Sequence, residues 1–204
     1  MKLLFATRSS GKQVEVRRVM EAAGHSVVFP DEAGVPETRQ EELLEVSDSF
    51  ETNARTKAEY FLKKTALPTV ADDSGLEVFS LGGLPGVRSK RWAGLTGPTL
   101  EVDKANNAEL LRRLAGAPES RRRARYRCVL VLLRSASAMP EVFEGVCGGR
   151  ILEEPRGTGG FGYDPLFLCD ALDKTFGEAA AEEKDRVSHR GQALEKLLQR
   201  LGGA

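Results

Sequence analysis

The chain has 204 residues, 41% of them hydrophobic and 29% charged, ordinary proportions for a globular domain long enough to bury a core. Lys and Arg number 30 against 30 Asp and Glu, a balance that gives no general attraction to nucleic acid or a membrane surface. No apolar run approaches the ~18–20 residues of a membrane span.

The opening "MKLLFATRSSGK" turns polar after a short apolar stretch, unlike a secretory leader. Cys128, Cys147 and Cys169 are odd in number, far apart in sequence and without a C-x-x-C pair. They read as reduced, mostly buried thiols of a cytoplasmic protein, with no zinc site. No repeat or low-complexity linker divides the chain, so a single domain over residues 1–204 is expected.

Leu3–Thr7 reads as a strand leading into a polar turn, Arg8–Gly11, and a helix from Lys12 with Val16, Val19, Met20 and Ala23 on one face and Gly24 as its stop. Ser26–Phe29 is a short second strand. Residues 30–48 read as an acidic loop, after which Ser49 caps a helix reaching about Lys64. Val70–Ala71 and Leu76–Phe79 flank an acidic turn, and "LGGLPGVRS", 81–89, is a glycine-rich connection. Asp103 is placed as the cap of a helix carrying Leu110, Leu111 and Leu114. Arg127–Leu133 and Val142–Ile151 suit a hairpin, and Ser188 opens a final helix with Ala193, Leu194, Leu197, Leu198 and Leu201 on its core face. The pattern is α/β with a mixed sheet.

Several stretches are locally uneconomical. Asp72, Asp73, Ser74 and Gly75 stand between strand-forming runs; they form an exposed turn, or the paired acids hold something positive. Lys57 falls on the apolar stripe of Phe50, Ala54, Ala58 and Phe61, where it either snorkels to the rim or meets an anion. "ATRSSGK", 6–12, is a strand-to-helix turn able to cradle phosphate, although Ala6 and Gln13 exclude a Walker A loop. "GTGGFGYDP", 157–165, is either an irregular loop or a close backbone approach to a ligand with an aromatic face for a base. "EKDRVSHR", 183–190, puts Lys184, His189 and Arg190 at the expected start of the last helix, where cations are unfavourable without an anion or acceptor. "RRRARYR", 121–127, reads as a solvated approach to a strand, since an RNA platform wants interleaved aromatics and Tyr126 is alone.

Taken in order, "FATRSSGK", "EVSDSFETNARTKA", "ADDSGLEVFSLGGLPGVRSKRWAG", "NNAELLRRL", "RARYRCVLVLL", "GTGGFGYDPLF" and "EEKDRVSHRGQAL" resemble the inosine triphosphate pyrophosphatase family over residues 5–194. That resemblance implies an elongated two-lobed α/β fold with a long mixed sheet flanked by helices and a cleft between the lobes. It implies hydrolysis of inosine, deoxyinosine and xanthosine triphosphates to monophosphate and pyrophosphate, a magnesium (Mg2+) requirement and a homodimer. Residue by residue, Asp73 resembles the catalytic base and a metal ligand, with Asp72 and Glu45 as further ligands and Lys57 facing the phosphates. Thr7, Arg8, Ser9, Ser10, Gly11 and Lys12 match the triphosphate turn, and Ser74 a substrate contact. Phe161, Gly162, Tyr163, Asp164, Lys184, His189 and Arg190 match the nucleoside-binding residues. Two positions depart from the family pattern: Ser9 stands where asparagine is usual, and Thr52 where glutamate is usual. Two alternatives remain at this level: a related pyrophosphatase acting on thymidine or uridine triphosphates, and a nucleotide- or RNA-binding module without turnover.

Overall fold

The computed structural model describes residues 2–202. The strands are β1 (Lys2–Phe5), β2 (Ser26–Val28), β3 (Thr69–Val78), β4 (Arg123–Leu133), β5 (Glu141–Ile151), β6 (Phe167–Cys169) and β7 (Lys174–Thr175). Among the described residues they form one sheet in the order β2-β1-β3-β4-β5-β6-β7. β1 pairs in parallel with β2 and β3, whereas β6 pairs antiparallel with β5 and β7. The mixed sheet is therefore as expected. The helices are α1 (Ser10–Ala22), α2 (Phe50–Thr65), α3 (Thr99–Arg113), α4 (Ala181–Val187) and α5 (His189–Gly202).

The chain divides into two compact units, the first comprising Met1–Asp73, Cys128–Gly145 and Arg190–Ala204, the second Ser74–Arg127 and Val146–His189. In the first unit, strand alternation sorts side chains onto two faces. Leu3, Phe5, Val70, Cys128, Leu130 and Leu132 pack with Val16 and Met20 of α1 and Ala193, Leu194 and Leu197 of α5. Leu4, Ala6, Ala71, Val131 and Leu133 pack with Ala54, Ala58, Phe61 and Leu62 of α2. The second unit has its own core, in which Leu76, Val78, Tyr126, Cys147, Tyr163, Phe167, Cys169 and Phe176 meet Leu110 and Leu114 of α3. The three thiols are free and buried, and the Cys147 and Cys169 sulfurs, distant in sequence, approach to 3.4 Å.

Several local expectations give way to tertiary partners. The segment read as an acidic turn is continuous strand: β3 runs unbroken from Thr69 to Val78. Its glycine serves a close approach. A Cβ on Gly75 would lie 2.2 Å from the Gly86 carbonyl oxygen and 2.6 Å from Ser89 Oγ. That hydroxyl also accepts from the Leu76 amide at 2.9 Å and donates to Gly86 O at 2.6 Å. α3 begins at Thr99 after Pro98, so Asp103 lies inside the helix rather than at its cap. The acidic loop contains a short 3-10 turn, Arg39–Leu43. Lys184 sits on α4, a separate helix, and Ser188 is an extended break before α5 instead of its first residue. The basic run is solvated only in part, with Arg121 and Arg123 exposed. Arg122 is buried and donates to the carbonyls of Leu114, Ala117 and Leu152, while Arg123 pairs with Asp170 and Arg125 with Glu77.

Candidate active site

The two adjacent acids are neighbours in sequence but not in orientation. Successive residues of a strand point to opposite faces, so Asp72 follows Val70 towards α1 and α5, and Asp73 follows Ala71 towards α2. Asp72, fully buried, receives Lys12 Nζ at 2.8 Å and has Arg190 Nε at 3.7 Å. Asp73, 5% exposed, accepts from Asn53 Nδ2 at 2.9 Å. Burial alone would raise both carboxyls. For Asp72 the charges of Lys12, Lys57 and Arg190 outweigh it and hold the group well below the usual carboxylate range. For Asp73 burial prevails, helped by the charge of Glu45, and the carboxyl is pushed up to about 6. One acid is permanently ionised while the other is poised to exchange a proton near neutrality, the division of labour expected of an acid–base site.

α2 supplies the partners on the Asp73 side. Ser49 caps it, accepting from the Thr52 amide at 3.3 Å, which sets its phase so that Phe50, Asn53, Ala54, Lys57, Ala58 and Phe61 all face inward. Lys57 donates to Glu45 and to the Asp72 carbonyl oxygen. Burial opposes its charge, but Glu45, Asp72 and Asp73 together raise its pKa, and Lys57 in turn lowers that of Glu45. The lysine on the apolar stripe thus meets anions and does not snorkel. Asn53, one turn before it, also bridges the loop that carries Glu45, accepting from Ser47 N at 2.9 Å and donating to Ser47 O at 3.0 Å.

The strand-to-helix turn is built as a cap. Ser9 is the N-cap of α1, with Lys12 N at 3.5 Å from its hydroxyl. The Ser9 amide donates to Thr7 Oγ1 at 3.2 Å, and Gln13 holds the Thr7 carbonyl at 3.0 Å. The first turn of α1 carries no acid, which leaves its positive end uncompensated and suited to phosphate. Ser10, Gly11 and Lys12 are the residues of that turn. Arg8 is committed elsewhere: its guanidinium forks onto Glu41 at 2.8 and 2.9 Å, donates to Val35 O and pairs with Asp31. Sequence reasoning overlooked Glu15. Its carboxylate is buried on α1 and pairs with Arg190 of α5, a partner 175 residues away that no local pattern announces.

In the second unit, Asp164 is the hub. Lys184 Nζ lies 2.6 Å from its Oδ2, the Phe161 amide donates to the same oxygen at 2.9 Å, and the Tyr126 hydroxyl reaches Oδ1 at 3.4 Å. Lys184 also sits 4.9 Å above the Phe161 ring. His189 stacks on Tyr126, with ring centroids 4.6 Å apart and planes 7° from parallel. Gly162 donates to Asp103 and accepts from Asn107, and the Tyr163 hydroxyl donates to Ser89 O at 2.8 Å. Phe161, Asp164, Lys184 and, through Tyr126, His189 therefore form one hydrogen-bonded and stacked group, while Gly162 and Tyr163 tie the same loop to Asp103, Asn107 and Ser89. Ser74 opens this unit, half-buried on β3. The sequence pattern brought up Tyr126 only as a lone aromatic in the basic run and did not single out Asn107.

These contacts change what removal of Lys57 should do. A lysine alone on an apolar face would cost little to replace. Here Lys57→Met strips the counter-charge from Glu45 and the hydrogen bond from the Asp72 carbonyl. We expect a loss of about 2–3 kcal/mol in a urea melt, less than for a fully buried pair because Glu45 retains 34% of its side-chain exposure. A variant that is inactive but as stable as the wild type would contradict this.

Similarity to known proteins extends over nearly the whole chain. The Ham1 family profile matches residues 3–200. A protein of Frankia alni named dITP/XTP pyrophosphatase is 44% identical over 198 residues, covering 97% of this chain and 95% of the relative. One of Thioalkalivibrio sulfidiphilus with the same name is 44% identical over the full length of both. Among solved structures, a HAM1 protein from Coxiella burnetii superposes with a TM-score of 0.85 at 35% identity, covering 100% of each chain. The Mycobacterium abscessus nucleoside-triphosphatase / dITP/XTP pyrophosphatase gives 0.74 at 43% identity, covering 97% of this chain and 99% of that one. With sequence and fold in agreement from end to end, the chain belongs to the Ham1 family.

Proposed function

We propose that the protein hydrolyses inosine, deoxyinosine and xanthosine triphosphates to the nucleoside monophosphate and pyrophosphate, clearing these non-standard purines from the nucleotide pool. The observation that carries this reading is the pair of carboxylates on β3, one fixed in its charge and one raised to about 6, set among Lys12, Lys57 and Glu45. The names of the full-length relatives point to the same activity.

In this mechanism Asp73 takes the proton from the water that attacks the α-phosphorus. Lys12 and Lys57, with the open first turn of α1, offset the charge of the pyrophosphate that leaves. Asp72 does not take up the proton, because its carboxylate stays ionised; it holds Lys12 in place. Magnesium fits the donor set, which consists of hard carboxylate oxygens. Among the described residues no three acidic, His or Cys side chains converge into a ready-made cage. Glu45 and Asp73 would hold the ion, with Asp72 turned to the other face. When bound, the ion would neutralise charge on the phosphate oxygens.

Lys184 and His189 offer N–H donors, which favour a purine with a carbonyl oxygen at position 6 over adenine with its amino group. Phe161 and Tyr163 lie in the same group. The protein is further read as one catalytic domain, a homodimer and a cytoplasmic enzyme.

The test is turnover with magnesium, following monophosphate and pyrophosphate by chromatography across inosine, xanthosine, adenosine, thymidine and uridine triphosphates. We expect pyrophosphate from the first two at rates at least 100-fold above adenosine triphosphate. Nucleotide binding without pyrophosphate release would overturn the reading, and so would a preference for the pyrimidines.

A further inference from the structure

We infer that Asn53 is a positioning residue for the reaction, acting through Asp73; the inference rests on the function proposed above. Its side chain is 1% exposed in the first turn of α2, facing inward, where a buried amide is costly unless every polar atom is used. All of them are used here. The carbonyl oxygen accepts from Ser47 N, and the amide nitrogen donates both to Ser47 O and to Asp73 Oδ2, at 2.9, 3.0 and 2.9 Å respectively. One planar group therefore ties together the loop bearing Glu45, the helix bearing Lys57 and the strand bearing the base.

The last torsion of a free carboxylate is broad, so an untethered base spreads its proton-accepting oxygen over many directions. With Oδ2 held by an amide that is itself fixed at both ends, the plane of the Asp73 carboxylate is set and its other oxygen keeps one direction. Asn53 touches the base and not the reacting atoms, so its contribution is orientation. Losses from such misplacement fall on the chemical step, because the substrate is still bound by residues that have not moved. The choice of residue is also specific. Aspartate at 53 would accept from Ser47 N but offer no donor to Asp73, and alanine would release both the loop and the base.

The experiment compares wild type with Asn53→Ala and Asn53→Asp in steady-state hydrolysis of inosine triphosphate, beside thermal melts without nucleotide or metal. Asn53→Asp keeps the side-chain volume and the bond to Ser47 N but loses the donors to Ser47 O and to Asp73, so it retains part of the loop clamp while removing the hold on the base. We expect kcat to fall tenfold or more in both variants with KM changed less than threefold, and both to melt cooperatively. Retention of kcat within threefold in Asn53→Asp would overturn the inference. So would a kcat loss that disappears on cooling in step with recovery of the folded fraction, or a loss carried mainly by KM. A wild type without turnover would instead overturn the parent reading, so the two failures are distinguishable.

Discussion

Asp73→Asn is expected to abolish hydrolysis while making the protein harder to unfold. The loss of a general base costs typically ~10²–10⁴-fold, and the loss of an oxygen donor to the metal adds to it. Stability moves the other way because the native state disfavours the ionised carboxylate. Its pKa is raised to about 6 by burial and by the Glu45 charge, against about 3.9 in an unfolded chain. The stabilisation from keeping Asp73 protonated is complete below about pH 4 and is lost as the pH rises through 6, leaving a cost on the order of 2–3 kcal/mol at neutrality. Asparagine keeps the shape and can still accept from Asn53 without that cost. Melting curves without nucleotide or divalent metal should therefore show the variant above wild type at pH 7.5, with the gap closing towards pH 4. More than a tenth of wild-type turnover in the variant would place the base elsewhere.

Arg190→Ala should be among the most destabilising single changes in the first unit. The guanidinium is 2% exposed, paired with Glu15 and adjacent to Asp72. Its charge is favoured by those carboxylates despite complete burial. Removing it leaves Glu15 ionised in the core, and breaking such a pair typically costs about 3–5 kcal/mol. The double change Glu15→Gln with Arg190→Met should recover much of that loss, since the uncompensated charge is then gone. Kinetically, the sequence pattern grouped Arg190 with the residues that read the base. With its donors turned to two carboxylates, the losses should be of similar size for inosine and adenosine triphosphates. A selective loss on inosine triphosphate, with stability unchanged, would return Arg190 to base recognition.

How much of this was legible beforehand depended on whether a residue's partner was local. Lys57 stood out because helical periodicity placed a charge on an apolar stripe, and Ser49 because a cap is a local signal; both readings describe α2 as it stands. Asp72-Asp73-Ser74-Gly75 was misread as a turn because none of the four favours a strand. Their burial depends on Lys12, Asn53, Lys57, Arg190 and Ser89, which the chain brings from four other places. Asp103 looked like a cap, yet its role is to accept from Gly162, 59 residues later. The break at Ser188 has no glycine or proline to mark it. The start of α4 did carry a sign: Glu183 reaches back to the Ala180 amide at 2.9 Å. Glu15 gave no sign at all. An acid beside Val16 and two positions before Arg17 is unremarkable until Arg190 arrives from the far end of the chain.

The tight seat of Gly75 has a practical corollary for anyone mapping this enzyme by saturation mutagenesis. No side chain fits between that backbone and the Gly86 carbonyl, so every substitution there should score as inactive, as Asp73→Asn should. Ranked on turnover alone, the two positions would be indistinguishable, and a residue that touches no reacting atom would pass for part of the chemistry. A parallel score for soluble, folded protein separates them: Gly75 variants drop out of both selections, whereas Asp73→Asn vanishes only from the first.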